Sequence, residues 1–209
     1  PRVAAAEPNG IHDALAELER MGLVHQLVTQ NVDGLHQRAG ARRVIDLHGR
    51  LDGVHCLDCG GRLTRARMQS LLTAINPDHP SDDAATTAPD GDALPIAGTR
   101  TGAADTFKVP PCPGCGGVLK PSVVFFGENV PRPRVERAMA RLAESRGVLV
   151  LGSSLRVFSG YRFCLEAERL DLPIALVNLG HTRADHLAGL KLDAPCAAVL
   201  NQRFLDLLD

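Results

Sequence analysis

At 209 residues and 44% hydrophobic, the chain can bury the core of one domain, or of one domain with a small insert. A net charge of -1 and a pI near 6.8 argue against a nucleic-acid surface, which shows as a basic excess or stripe. No run approaches the roughly 18 apolar residues that cross a membrane. The start, PRVAAAEPNG, has neither signal-peptide regions nor an initiator methionine and reads as a cut edge.

The first predicted element is a helix over 10–21, with Ile11, Leu15 and Leu18 on one face, Asn9 as N-cap and Gly22 as stop. Strands are predicted at 23–29, 44–47 and 122–126. Pro131 and Pro133 open a helix carrying Val135, Ala138, Met139 and Leu142, and Gly147 ends it. A strand at 147–152, a helix at 161–170 and a strand at 173–179 follow. Apolar strands alternating with helices predict an α/β fold with a Rossmann-like open parallel sheet. Residues 65–75 read as helical, whereas Asn76 to Pro111 is rich in Asp, Ala, Thr, Pro and Gly. A structureless loop that long is unusual inside a compact core. The expected organisation is therefore a zinc-binding module at 50–119, inserted into a domain made of 1–49 and 120–209.

The module carries the strongest local signal. CLDCGGRL and CPGCGGVL share the form C-x-x-C-G-G-x-L, with 52 residues between Cys59 and Cys112. In such turns two thiolates converge on one ion, and the glycines let the backbone aim N–H groups at sulfur. Cys56, Cys59, Cys112 and Cys115 thus predict tetrahedral zinc. Two disulfides are the alternative, disfavoured because nothing suggests export and six cysteines without secretory features fit a reducing compartment. Four thiolates leave no open coordination position, so the ion is structural.

Chemistry is expected beyond the carboxyl ends of the strands, where open α/β sheets bind ligands. Those ends carry Gln30-Asn31-Val32-Asp33-Gly34, His48-Gly49, Gly127-Glu128, Gly152-Ser153-Ser154 and Asn178-Leu179-Gly180. Each alone reads as ordinary turn chemistry, and Asn31 and Asp33 equally as an Asx turn. All five together, with an amide, a carboxylate and an imidazole, predict one binding crevice.

Several strings bear a family resemblance. TQNVDGLHQRAG, LHG at 47–49, the paired C-x-x-C, LKPSVVFFGE, LGSSLRV and LVNLG resemble the sirtuin family of NAD-dependent protein deacylases, in the right order and over nearly the whole chain. GSSLRVFSGYRF and TRADHLAGLKL are most similar to its class II branch, which includes a mitochondrial member.

The resemblance implies that Gln30, Asn31, Val32 and Asp33 serve the nicotinamide ribose and that His48 is the general base. Gly152, Ser153 and Ser154 would meet the adenosine ribose, Asn178, Leu179 and Gly180 the adenine side, and Cys196 the adenine. Val123, Val124, Phe125, Phe126, Gly127 and Glu128 would form the edge on which an acyl-lysine peptide pairs. It further implies that the acyl oxygen attacks C1′ of NAD and displaces nicotinamide. His48 then takes a proton from a ribose hydroxyl, and O-acyl-ADP-ribose results. Family members begin with a strand and a Gly-Ala-Gly-x-Ser turn, and no such turn lies upstream of Asn9. A fragment of a full enzyme is the expectation. The implied partners are acyl-lysine proteins, with neither nucleic acid nor membrane. The implied location is the bacterial cytoplasm, with the mitochondrial matrix as alternative. Two other readings are mono-ADP-ribosyl transfer from the same crevice and a non-enzymatic zinc-bearing scaffold.

Overall fold

The computed structural model describes residues 6–77 and 106–207, and the backbone of two short strands at 86–87 and 93–94. In chain order the elements are α1 (Gly10–Arg20), β1 (Leu27–Thr29), α2 (Leu35–Arg38), β2 (Val44–Asp46), β3 (Gly49–Cys56), β4 (Arg62–Thr64) and α3 (Arg65–Ile75). There follow β5 (Thr86–Thr87), β6 (Ala93–Leu94), β7 (Leu119–Val123), α4 (Arg132–Ala143), β8 (Val148–Leu151) and α5 (Phe158–Arg169). The chain continues through β9 (Ile174–Val177), β10 (Leu190–Leu192), α6 (Cys196–Val199) and α7 (Gln202–Leu205). The irregular stretch expected from Asn76 to Pro111 falls, between 78 and 105, outside the described residues except for β5 and β6.

Two compact units emerge, one from Leu51–Ser122 and one from Ala6–Arg50 with Val123–Asp209. In the larger unit β1 pairs in parallel with β2, and β8, β9 and β10 make a parallel sheet in the order β10-β9-β8. α1 starts because the Asn9 side chain accepts from the Ile11 and His12 N–H groups while His12 reaches back to the Asn9 N–H. That satisfies donors which a helix start otherwise leaves open. Its Ala14, Leu15 and Leu18 bury against Leu27, Leu200 and Leu205. A second cluster joins Leu142 of α4, Tyr161, Cys164 and Ala167 of α5, and Ile174 and Leu176 of β9. Leu176 is fully buried, and burying such a side chain stabilises the fold by about 1.5–3 kcal/mol.

The smaller unit is a three-stranded sheet in the order β4-β3-β7 with α3 beside it. β3 and β4 pair antiparallel, and Thr64 caps α3 by accepting from the Arg67 N–H. The core is slight: Val54, Cys56, Met68, Cys112 and Leu119 are its buried members.

Four expectations are corrected. The strand predicted over 23–29 is confined to Leu27–Thr29, because the Leu23 and Val24 N–H groups close the end of α1 on the Leu18 carbonyl. The strand predicted at 122–126 is Leu119–Val123 and belongs to the β3 sheet, not to a parallel one. Beyond it Phe125–Glu128 is a turn, with Gly127 at φ +87° and the Glu128 N–H donating to the Phe125 carbonyl. α4 ends at Ala143, short of Gly147, and α5 begins at Phe158, three residues before the expected start. β10, α6 and α7 were not foreseen; they are three or four residues long, too short to show a period.

Candidate functional site

The four predicted cysteines converge. Their Sγ atoms all lie within 4.8 Å of one another, with Cys56 to Cys115 at 3.5 Å and Cys59 to Cys112 at 3.8 Å. Tetrahedral zinc with Zn–S of about 2.3 Å requires S···S of about 3.8 Å, so the set fits. Gly60 and Gly116, each directly after its pair, take φ of +71° and +78°. That left-handed conformation is costly for a residue with a Cβ. It brings the Gly61 N–H to 3.4 Å from the Cys59 sulfur.

Backbone hydrogen bonding at Cys59 draws the Cys56 thiol down to about 7. Cys115 moves the other way: the Gly117 N–H favours its thiolate, but hydrogen bonding with the Cys59 and Cys56 side chains pushes it up to about 12. Clustered thiols cannot all ionise side by side without a cation, and a divalent ion removes that conflict.

In the larger unit several predicted crevice residues meet on one hydroxyl. Ser159, buried in the first turn of α5, places Oγ 2.8 Å from His48 Nε2, and Gln30 Nε2 donates to the same oxygen at 3.1 Å. Ser153 Oγ donates to Gln30 Oε1 at 3.4 Å. His48 follows β2, whose end is held by Arg134 Nη1 donating to the Leu47 carbonyl at 2.9 Å. The Val124 N–H donates to the His48 carbonyl at 2.8 Å.

Burial lowers the His48 pKa below 6.5; a hydrogen bond to the Gln30 backbone opposes this, and the nearby Arg134 charge reinforces it. The ring is therefore neutral at pH 7, the state in which an imidazole accepts a proton. If His48 is the base, kcat/KM rises with pH as the ring deprotonates. The acidic limb of the profile then lies below the ordinary imidazole value of 6.5, and a limb at or above it speaks against this assignment.

The other predicted residues are placed less uniformly. Asn31 is exposed, and its N–H is held by Thr29 Oγ1 at 3.1 Å. Val32 is half-buried, and Asp33 makes an Asx turn, accepting from the Leu35 N–H at 3.0 Å. Gly152 at φ +59° lets Cys196 approach; a Cβ there would lie 3.5 Å from its sulfur. The Cys196 thiol also faces the Val177 carbonyl at 3.5 Å. Ser154 is exposed. Asn178 is buried and turns its amide back onto the Leu179 carbonyl at 2.7 Å, with Leu179 exposed and Gly180 at φ +74°. Of the expected peptide edge, Val123 is buried and Val124 half-buried, whereas Phe126 is 99% exposed on the turn.

Sequence reasoning missed Ser159 and Gly160, which look like helix-start residues with no chemical role. A Cβ at Gly160 would lie 3.0 Å from Gln30 Oε1. Alanine there should change Tm little, since its better helix propensity is offset by the Gln30 hydrogen bonds it disturbs. It should raise KM for NAD about threefold or more by displacing the Gln30 amide. An unaltered KM would show that Gln30 needs no such position. The crevice groups are an amide, hydroxyls and a neutral imidazole, which suit ribose hydroxyls and an uncharged amide.

A family model described as "Sir2 family" matches residues 2–159. An NAD-dependent protein deacetylase of Xanthomonas campestris pv. campestris (strain 8004) is 56% identical over 200 residues, 96% of this chain and 67% of that protein. The NAD-dependent protein deacylase Sirt4 of Drosophila melanogaster is 46% identical over 205 residues, 98% of this chain and 64% of that protein. Among solved structures, "Sir2-p53 peptide-NAD+" superposes with a TM-score of 0.77 at 29% identity, over 98% of this chain and 72% of that one.

Proposed function

The chain belongs to the Sir2 family, and from that premise we propose that it is an NAD-dependent protein-lysine deacylase releasing nicotinamide and O-acyl-ADP-ribose. The meeting of His48 and Gln30 on Ser159, with Ser153 bonded to Gln30, carries this reading, because it sets a neutral imidazole among groups suited to a ribose. The relatives support it: one similar solved structure holds 2'-O-acetyl-ADP-ribose with a deacetylated peptide.

NAD, as co-substrate, supplies an electrophilic ribose carbon with nicotinamide as leaving group. His48 takes the proton of a ribose hydroxyl at Nε2, the nitrogen that faces Ser159 Oγ, while the hydrogen bond to the Gln30 backbone holds the ring's orientation. Gln30, Asn31, Val32 and Asp33 bind the nicotinamide ribose region, and Gly152, Ser153 and Ser154 the adenosine ribose. Asn178, Leu179, Gly180 and Cys196 line the adenine side. Val123 to Glu128 take the acyl-lysine peptide, with Val124 beside His48. In this assignment 1–49 and 120–209 form the NAD-binding domain and 50–119 the zinc module. Cys56, Cys59, Cys112 and Cys115 hold one structural ion. The bacterial relatives support a cytoplasmic location. No helix among the described residues is long and apolar enough to cross a membrane.

Nicotinamide release that requires both NAD and an acetyl-lysine peptide tests the proposal. Release at the same rate without peptide contradicts it, and labelled ADP-ribose accumulating on protein acceptors assigns transferase activity instead.

A further inference from the structure

Between the two crevice serines, Ser154 and Ser159, the chain makes an unusual excursion. Leu155 takes φ +54° although it has a side chain. Such strain costs of order 1 kcal/mol and persists only where the surroundings enforce it. Here the Leu155 side chain is buried in the α4–α5–β9 cluster, and its N–H is held by Ser153 Oγ at 3.2 Å. The result is to turn Arg156, Val157 and Phe158 outward, with Val157 and Phe158 about half exposed.

Two more arginines close on the same ring. The Arg162 guanidinium carbon lies 5.0 Å from the Phe158 centroid, and that of Arg183 lies 6.0 Å from it and 4.3 Å from the Tyr161 centroid. The Arg183 N–H donates to the Ser154 carbonyl at 2.9 Å, and its Nη1 to the Arg156 carbonyl at 3.3 Å. The patch is thus attached to the segment that ends at Ser159, the His48 partner.

These three arginines lie together without a carboxylate among them, unlike the five that form ion pairs. Arg20, Arg38, Arg132, Arg141 and Arg169 each pair with a glutamate. Among the described residues, Arg156, Arg162 and Arg183 have no carboxylate partner, and Arg162 Nε is buried without a hydrogen bond. Nearby acids are committed elsewhere: Asp185 to Lys191 and Thr182, Asp193 to the Gly180 N–H, Glu166 to Arg169. Planar guanidinium forks match carboxylates, and an exposed Phe–Val surface suits the aliphatic stem of an acidic side chain.

We propose that the rim of Arg156, Arg162, Arg183 and Phe158 binds a carboxylate carried by the acylated protein, on an Asp or Glu flanking the acyl-lysine. The enzyme thereby prefers acidic sequence context. This rests on the deacylase reading. It is tested with acetyl-lysine peptides identical except for a flanking Glu, Gln or Lys. A fourth peptide has the Gln flank and a dicarboxylic acyl chain on the lysine.

The Glu peptide should exceed the Gln peptide in kcat/KM by about two- to fivefold at low salt, the worth of a well-placed exposed ion pair. The Lys peptide should fall below both. The preference should collapse in about 1 M salt, where charges are screened within about 3 Å. It should shrink in Arg183→Gln and separately in Arg156→Gln, a substitution of an exposed side chain. Equal values for all flanks overturn the proposal. So does a gain from the acidic acyl chain with no response to the flank, which assigns the rim to the acyl group. If no peptide is turned over, the deacylase reading fails. Fluorescence anisotropy with the same labelled peptides then decides the rim separately: tighter binding of the Glu peptide, lost in Arg183→Gln, supports it, and equal binding overturns it.

Discussion

Replacing His48 by alanine is expected to lower formation of deacylated lysine by about 10²- to 10⁴-fold, the usual worth of a positioned general base. Zinc should stay at one ion per chain, because the thiolate ligands lie in the other compact unit. His48 is half-buried and its ring bonds reach Ser159 and the Gln30 backbone, so alanine removes the proton acceptor while the Leu47 anchor to Arg134 remains. Full turnover in this variant would remove His48 from the mechanism.

The second large effect concerns the metal. In Cys112→Ser, or after chelation, the smaller unit should lose its fold. Amide exchange across 51–77 and 106–122 should become fast, with protection kept in α5 and β9. Val54, Met68 and Leu119 are the buried core side chains there that are not themselves ligands. Together they are worth about 5–9 kcal/mol, too little to offset the conformational entropy of ordering the unit. A structural zinc contributes apparent binding energies of about 10–16 kcal/mol, which then act as folding energy. Zinc restored to the wild-type protein should restore protection. Exchange unchanged by chelation would mean that apolar packing alone suffices.

The legible parts of the fold had strong local physics. α1 was readable because Asn9 caps it and its apolar residues recur at helical spacing, and α3 matched its expected span from Arg65 to Ile75. The cysteine cluster was readable because spacing and the following glycines impose the turn. The run SVVFF misled, because apolar strength says nothing about which sheet a strand joins, and Phe125 and Phe126 ride on a turn outside it. Leu23 misled similarly: it reads as strand but closes the end of α1. In the crevice, Gln30, His48 and Ser153 were legible from their places after strands. Ser159, the partner that Gln30 and His48 share, was not, since it lies 111 residues from His48 in sequence and contact at that range has no local signature. Arg183 was invisible for the same reason, since it reaches Phe158 and Tyr161 from beyond β9, whereas Arg162 lies one helical turn after Phe158 in α5.

Product analysis tests the central claim most directly, that an NAD-dependent crevice around His48 removes acyl groups while zinc is structural. Mass spectrometry of the protein incubated with NAD and an acetyl-lysine peptide should find nicotinamide, deacetylated peptide and O-acetyl-ADP-ribose in equal amounts. Free acetate formed from the same peptide without consumption of NAD would contradict the account.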